Sequence, residues 1–200
     1  MRSRLRAGLA LMAMLGLPVT APAQEGALTL PRNLEQLTDR AATIVRGHVA
    51  SSHVELHPTL RGLHTVVVTL TVRETLKGLP SQSFTFRQYV WDIRGRHGQT
   101  VYRKGDELLL LMIEPSEYGL SSPAGMGQGM FRIARDAGGR EVAVNGHANA
   151  RLFDGLAPAQ SQKGAALTAA SRQLVGTHRQ GPIEASRLTA IIRELVDAGR

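Results

Sequence analysis

From residue 64 onward the chain alternates. Val66, Val68, Leu70 and Val72 share one parity and Thr65, Thr69, Thr71 and Arg73 the other, the period-two pattern of a strand with one face in a core and one in water. Lys77-Gly78-Leu79-Pro80 ends this strand as a turn, and Ser83 to Trp91 resumes the pattern with Phe84, Phe86 and Val90 opposite Thr85, Arg87 and Tyr89. Upstream, Thr43 to Leu56 places Val45, Gly47 and Val49 on one parity but Val54 and Leu56 on the other, which predicts a β-bulge or bend near Ser51 and Ser52. Lys104-Gly105-Asp106 reads as a turn into Leu108 to Ile113, an unbroken apolar run of strand length that predicts burial on both faces. A hairpin follows, Met130 to Ala134 returning through Glu141 to Val144 after a turn over Asp136 to Arg140, with Phe131, Ile133, Val142 and Val144 on its core side.

Two segments carry a helical period instead. Asn33 precedes Leu34, Leu37 and Ala41 as an N-cap, with Gln36 three residues on as in a capping box, predicting a short helix to about Ala42. After Pro182, the residues Leu188, Ile191, Ile192, Leu195 and Val196 form one helical stripe that ends before Gly199. Between them, Asp154 to Gly181 is rich in Ala, Gln, Ser and Gly with little periodicity and reads as a mobile loop or linker with room for a weak helix. Five or six short strands flanked by a helix at each end suit closure of a small antiparallel β-barrel, and Gly47 suits a sharply bent first strand in it. The expected organisation is therefore a β-barrel domain over 24–153, a loop or linker over 154–181 and a C-terminal amphipathic helix over 182–200 that packs on the barrel.

The first residues change the picture. Arg2, Arg4 and Arg6, the apolar run Ala7 to Leu17, and Ala21-Pro22-Ala23 follow the order of a cleavable secretory signal, so residues 1–23 are expected to be a signal peptide and the mature chain periplasmic or secreted. The run is shorter than the roughly 20 residues that cross a bilayer, so no membrane anchor is expected after cleavage. Taking the three arginines at 2, 4 and 6 from the 24 basic residues leaves 21 against 16 acidic, a mildly basic balance. No basic run interleaved with aromatics accompanies it, and nucleic acid is not expected as a partner. The absence of cysteine excludes disulfides, thiol nucleophiles and cysteine-ligated metal.

Several of these segments together carry a resemblance. The strand Ala42-Thr43-Ile44-Val45-Arg46-Gly47-His48-Val49, then Val66 to Gly78 ending in Leu76-Lys77-Gly78, then Lys104-Gly105-Asp106-Glu107-Leu108-Leu109-Leu110-Leu111, then Tyr118 and Gly127-Gln128-Gly129-Met130-Phe131 occur in that order. This order, spread over roughly residues 30–133, resembles a family of uncharacterised exported bacterial proteins. The resemblance implies a mainly β fold, a small OB-like closed antiparallel barrel similar to that of netrin modules and tissue inhibitors of metalloproteases. It also implies a secreted metalloprotease as a partner, although this chain lacks the N-terminal cysteine by which those inhibitors chelate zinc. Fold resemblance alone assigns no function.

Candidate chemistry is sparse. His48, His53, His57 and His64 fall within one strand, its connection and the next strand, and in a hairpin two or three converging imidazoles would hold zinc or copper; exposed side chains are the competing reading. The carboxylates Glu74, Asp92, Asp106, Glu107, Glu114 and Glu117 occur singly at turns and strand ends, and Ser121 and Ser122 lack a nucleophile-elbow context. Tyr89 and Trp91 share the parity of Arg87, and with Arg94 they form a candidate surface for a sugar, peptide or protein, unless the C-terminal helix or the Gly-rich loop Gly125-Met126-Gly127-Gln128-Gly129 covers it. The expectation is an exported, non-enzymatic binding module with no cofactor, whose partner is a protein, peptide or glycan of the cell envelope. The alternative is a metal-binding envelope protein or metalloenzyme built on the histidine hairpin.

Overall fold

The structure is a computed structural model that describes residues 30–90, 101–157 and 161–199. Helix α1, Leu34–Arg40, opens it with the capping box expected from Asn33 and Gln36, and buries Leu34 and Leu37. Seven strands follow: β1 Thr43–Leu56, β2 His64–Lys77, β3 Ser83–Tyr89, β4 Glu107–Met112, β5 Met130–Arg135, β6 Glu141–Asn145 and the two-residue β7 Ile183–Glu184. Helices α2 Gln162–Ala165 and α3 Ala169–Thr177 precede β7, and α4 Ala185–Ala198 succeeds it.

All seven strands form one antiparallel sheet in the order β3-β2-β1-β4-β5-β6-β7. The sheet is open, which corrects the expected closed barrel. Closure would require β3 to pair with β7, but β7 is two residues long and runs directly into α4. The outer edge of β3 meets a loop instead, through a parallel bridge between Arg87 and Leu120.

The two faces of the sheet are buried differently. One packs against the helices: Ile44, Leu76, Leu109, Leu111, Phe131 and Ala143 join Leu34 and Leu37 of α1 and the Leu188, Ile191, Ile192, Leu195 and Val196 stripe of α4. The other core, built from Val45, Val49, Val66, Val68, Leu70, Phe86, Leu108, Leu110, Met112 and Tyr102, takes no residue from a described helix. Strand β4 serves both, its odd residues facing the helices and its even ones the second core, as its unbroken apolar run implies.

Strand β1 is bent by three register irregularities against β2, one of them between Val49 and Ser51 where the change of parity falls. Another lies between Arg46 and Gly47. Here β2 approaches so closely that a Cβ on Gly47 would lie 2.3 Å from the Thr71 carbonyl oxygen. In the β5–β6 hairpin the register pairs Phe131 with Asn145 and Ile133 with Ala143, so Ala143 and Asn145 turn inward while Val142 and Val144 stay half-buried on the opposite side.

The stretch 154–181, read as a loop or linker, contains α2 and α3 and contributes Leu156, Leu167 and Val175 to the helix-side core. Its apolar residues are too widely spaced to show a period. Polar anchoring supplements them: the Glu194 carboxylate on α4 accepts hydrogen bonds from the Thr168 amide, the Thr168 hydroxyl and the Ser171 hydroxyl, each 3.0 Å, at the N-terminus of α3.

Before it, residues 145–156 form a run of overlapping turns in which Ala148, Asn149 and Arg151 hold positive φ of 51°, 57° and 60°. Asn145 Oδ1 accepts the His147 and Asn149 amides at 3.0 and 2.8 Å and organises that turn. The Leu152 and Asp154 carbonyls, in turn, receive the Leu34 amide and the Asn33 side chain, joining the run to α1.

Two outcomes follow for stability. Gly47→Ala forces β1 and β2 apart and costs about 3 kcal/mol in denaturant unfolding. Ala148→Gly relieves a left-handed conformation that disfavours a Cβ, and raises stability by about 1 kcal/mol in the same measurement.

Candidate functional site

The helices cover only part of the sheet face they pack on. Beyond Ile44 and Leu109 the same face continues outward along β1, β2 and β3 as a three-stranded arm, because β4 pairs with β1 only as far as His48. Two groups of polar side chains occupy this uncovered stretch.

The inner group centres on Glu107. Arg46 is buried in β1, and its guanidinium donates to Glu107 Oε1 at 2.8 Å and to Glu141 Oε2 at 2.6 Å, bridging β1, β4 and β6. Arg73 of β2 donates to the same Glu107 oxygen at 2.8 Å, and His48 Nε2 stands 3.6 Å from Oε2. Arg135 reaches Glu141 at 3.4 Å, and Arg193 of α4 pairs with Glu74 at the helix border. Burial opposes the charge on Arg46, but its hydrogen bonds to Glu141 and Glu107 outweigh that and raise its pKa above the ordinary arginine value. The Arg46 hydrogen bond in turn holds the Glu141 carboxyl below the ordinary carboxylate range. The chemistry of this cluster is that of a structural clamp, since the half-buried Glu107 carboxylate is engaged by two arginines.

The outer group lies on the arm. Cross-strand pairing places Glu55, Thr65 and Tyr89 in one row and His53, Val67 and Arg87 in the next. Arg87 donates to Glu55 at 2.7 Å and to the Thr65 hydroxyl at 2.8 Å, while His53 Nε2 lies 3.1 Å from the other Glu55 oxygen. These two partners, Arg87 first, lower the Glu55 pKa. Thr69 and Thr85 pair their hydroxyls at 3.0 Å alongside. Thr65 is fully buried although its parity predicts a wet face, because Arg87 folds over it. Exposed Leu56 and Tyr118 flank the end of the arm.

The expected recognition surface is therefore partly on the page. Arg87 and Tyr89 sit on this face, with Arg87 committed to Glu55 and Thr65; Trp91 and Arg94 lie outside the described residues. Neither expected cover lies over it. Helix α4 reaches β2 at its opposite end, around Glu74 and Leu76, and the Gly-rich segment is a structural clamp in which Gln128 Oε1 accepts the Arg32 amide at 2.7 Å. What meets the edge of β3 is the loop that follows β4, where the Ser121 amide donates to the Arg87 carbonyl at 2.8 Å. Tyr102 is not a surface aromatic: it is buried edge-on against Phe86, its hydroxyl donates to Gln88 at 2.6 Å, and burial raises its pKa.

The four histidines go to separate environments. His48 is beside Glu107, His53 beside Glu55, and His64 is exposed at the start of β2. His57 is buried, with Nδ1 accepting the Leu60 and Thr59 amides at 3.0 and 3.2 Å and Nε2 donating to the Tyr118 carbonyl at 2.9 Å. Among the described residues no three histidine, aspartate or glutamate side chains gather into a group that would hold a metal ion.

Comparison of the chain with protein-family models, with curated proteins and with solved structures finds no match. The reading of the site therefore rests on its geometry.

Reasoning from the sequence missed Arg46, Glu107 and Glu141 as one unit. The signal was present in Arg46, a lone charge within the apolar pattern of β1, and in Glu107 heading an apolar run. Leu56, Tyr118 and Glu55 carried no comparable signal, since their proximity depends on strand pairing.

The depressed Glu141 pKa fixes a pH dependence. The folded protein binds fewer protons there than the unfolded chain, so the stabilisation is complete above the ordinary carboxyl value of 4.5 and is lost as pH falls through the lower folded value. Melting temperatures followed from about pH 6 to 3 are expected to decline below 4.5, and Glu141→Gln is expected to flatten part of that decline.

Proposed function

We propose that this chain is an exported, non-enzymatic interaction module that holds a protein, peptide or glycan of the cell envelope against the outer face of the β1–β3 arm. The observation that carries the reading is the Glu55–Arg87–Thr65 set beside Tyr89, polar groups already fixed in position on a sheet face that no helix among the described residues covers. Groups ordered before binding lose little entropy when a partner arrives, and arginine and tyrosine are the residues through which such faces gain most of their affinity. The N-terminal pattern of arginines, apolar run and small residues supports export. A secreted protease is one candidate among the protein partners, suggested by the resemblance of the motif order over residues 30–133 to a family of exported proteins and not by the open sheet.

A diazirine amino acid at Thr85, on this face, and at Arg140, in the distant β5–β6 turn, tests it in intact cells. Adducts are expected from position 85 and not from 140, and Tyr89→Ala is expected to lower their yield about tenfold or more. Identical adducts from both positions, or none from 85, overturn the assignment.

A further inference from the structure

The loop that meets the edge of β3 is held from the far side by one imidazole. His57 lies in the β1–β2 turn with both ring nitrogens occupied. Because Nδ1 accepts two backbone N–H groups, it carries no proton, and the proton on Nε2 makes the bond to the Tyr118 carbonyl. The Thr59 hydroxyl, 3.3 Å from Nδ1, completes the arrangement. We propose that His57 is an acid-sensitive latch that keeps residues 116–121 against the β3 edge, and that its protonation releases them.

The argument is steric and electrostatic. A second proton can go only to Nδ1, where it would point at the Leu60 and Thr59 amides and turn two hydrogen bonds into donor–donor repulsion. The ring is rigid, so swinging Nδ1 out of the turn also withdraws Nε2 from Tyr118. The charged and titratable groups on the elements that meet here are His53 and Glu55 on β1, Arg61 and His64 in the hairpin, Arg87 and Tyr89 on β3, and Glu114, Glu117 and Tyr118 in the loop. Glu55 is taken up by Arg87 and His53, and the hydrogen-bond partners of His57 on both nitrogens are uncharged. Release of the loop frees the Arg87 carbonyl, which the Ser121 amide occupies in the latched form, and so exposes strand edge beside the face proposed to bind. As a regulator of that face the latch rests on the proposed function, but it is tested without a partner.

Amide hydrogen exchange on the full chain, corrected for the intrinsic rate, is read at Thr59, Leu60 and Ser121 as pH is lowered stepwise until the His57 ring nitrogen shifts report the second proton, with Leu109 and Leu111 of β4 as controls. Protection at the first three is expected to fall about tenfold or more, with a midpoint that tracks the ring titration of His57 followed by its own nitrogen shifts, while β4 stays unchanged. His57→Asn, whose Oδ1 still accepts the amides of the turn but does not titrate, is expected to abolish the pH dependence. Protection at Ser121 that stays flat through the His57 titration overturns the proposal, as does the same pH dependence in His57→Asn. Should that variant fail to fold, the coincidence of the two midpoints in the natural protein decides. Loss of the diazirine adducts with an intact latch would count against the binding face alone.

Discussion

Both halves of the hydrophobic interior rest on β4. Leu109 and Leu111 look toward α1 and α4, while Leu108, Leu110 and Met112 look toward Val45, Val49 and Phe86, so a strand of six residues anchors two cores that share no other strand so evenly. Every one of the five is essentially inaccessible to water, and each buried leucine of this kind is worth roughly 1.5–3 kcal/mol. The backbone of β4 must also be paired on both sides, which β1 and β5 supply. The chain has no disulfide to share this burden.

The limits of β4 define where function can sit. Its first residue, Glu107, ends the pairing with β1 at His48, and past that point β1, β2 and β3 continue without cover from any described helix. The arginines gathered around Glu107 seal the border between packed interior and open face, since a carboxylate this deep requires several donors. Beyond the border, side-chain order persists without apolar packing, through Glu55, Arg87 and Thr65.

Much of this was legible in the chain. Local signals with a fixed period or spacing translated directly: the capping box at Asn33, the alternation of β2 and β3, the parity change near Ser51 and the apolar stripe of α4. Other features depend on which strands become neighbours, and periodicity does not encode that. The open edge between β3 and β7, the inward turn of Ala143 in place of Val142, and the dispersal of four histidines close in sequence are all of this kind. Helices α2 and α3 are anchored in part by carboxylates borrowed from other helices, Glu35 of α1 at the N-cap of α2 and Glu194 of α4 at the start of α3, and periodicity does not show this. The Arg87 and Tyr89 face was visible as a parity, but the engagement of Arg87 by Glu55 was not.

The two cores also become available at different moments when the polypeptide emerges from its N-terminal side. The core without helices draws on residues up to Met112, with Met130 at its margin, and β1 with β2 is a local hairpin that assembles early. The helix-side core joins Leu34 and Leu37 to Leu188 and Ile191, a pairing of distant segments that is slow to form and impossible before α4 is made. Until then Ile44, Leu109, Leu111 and Phe131 present a bare apolar surface.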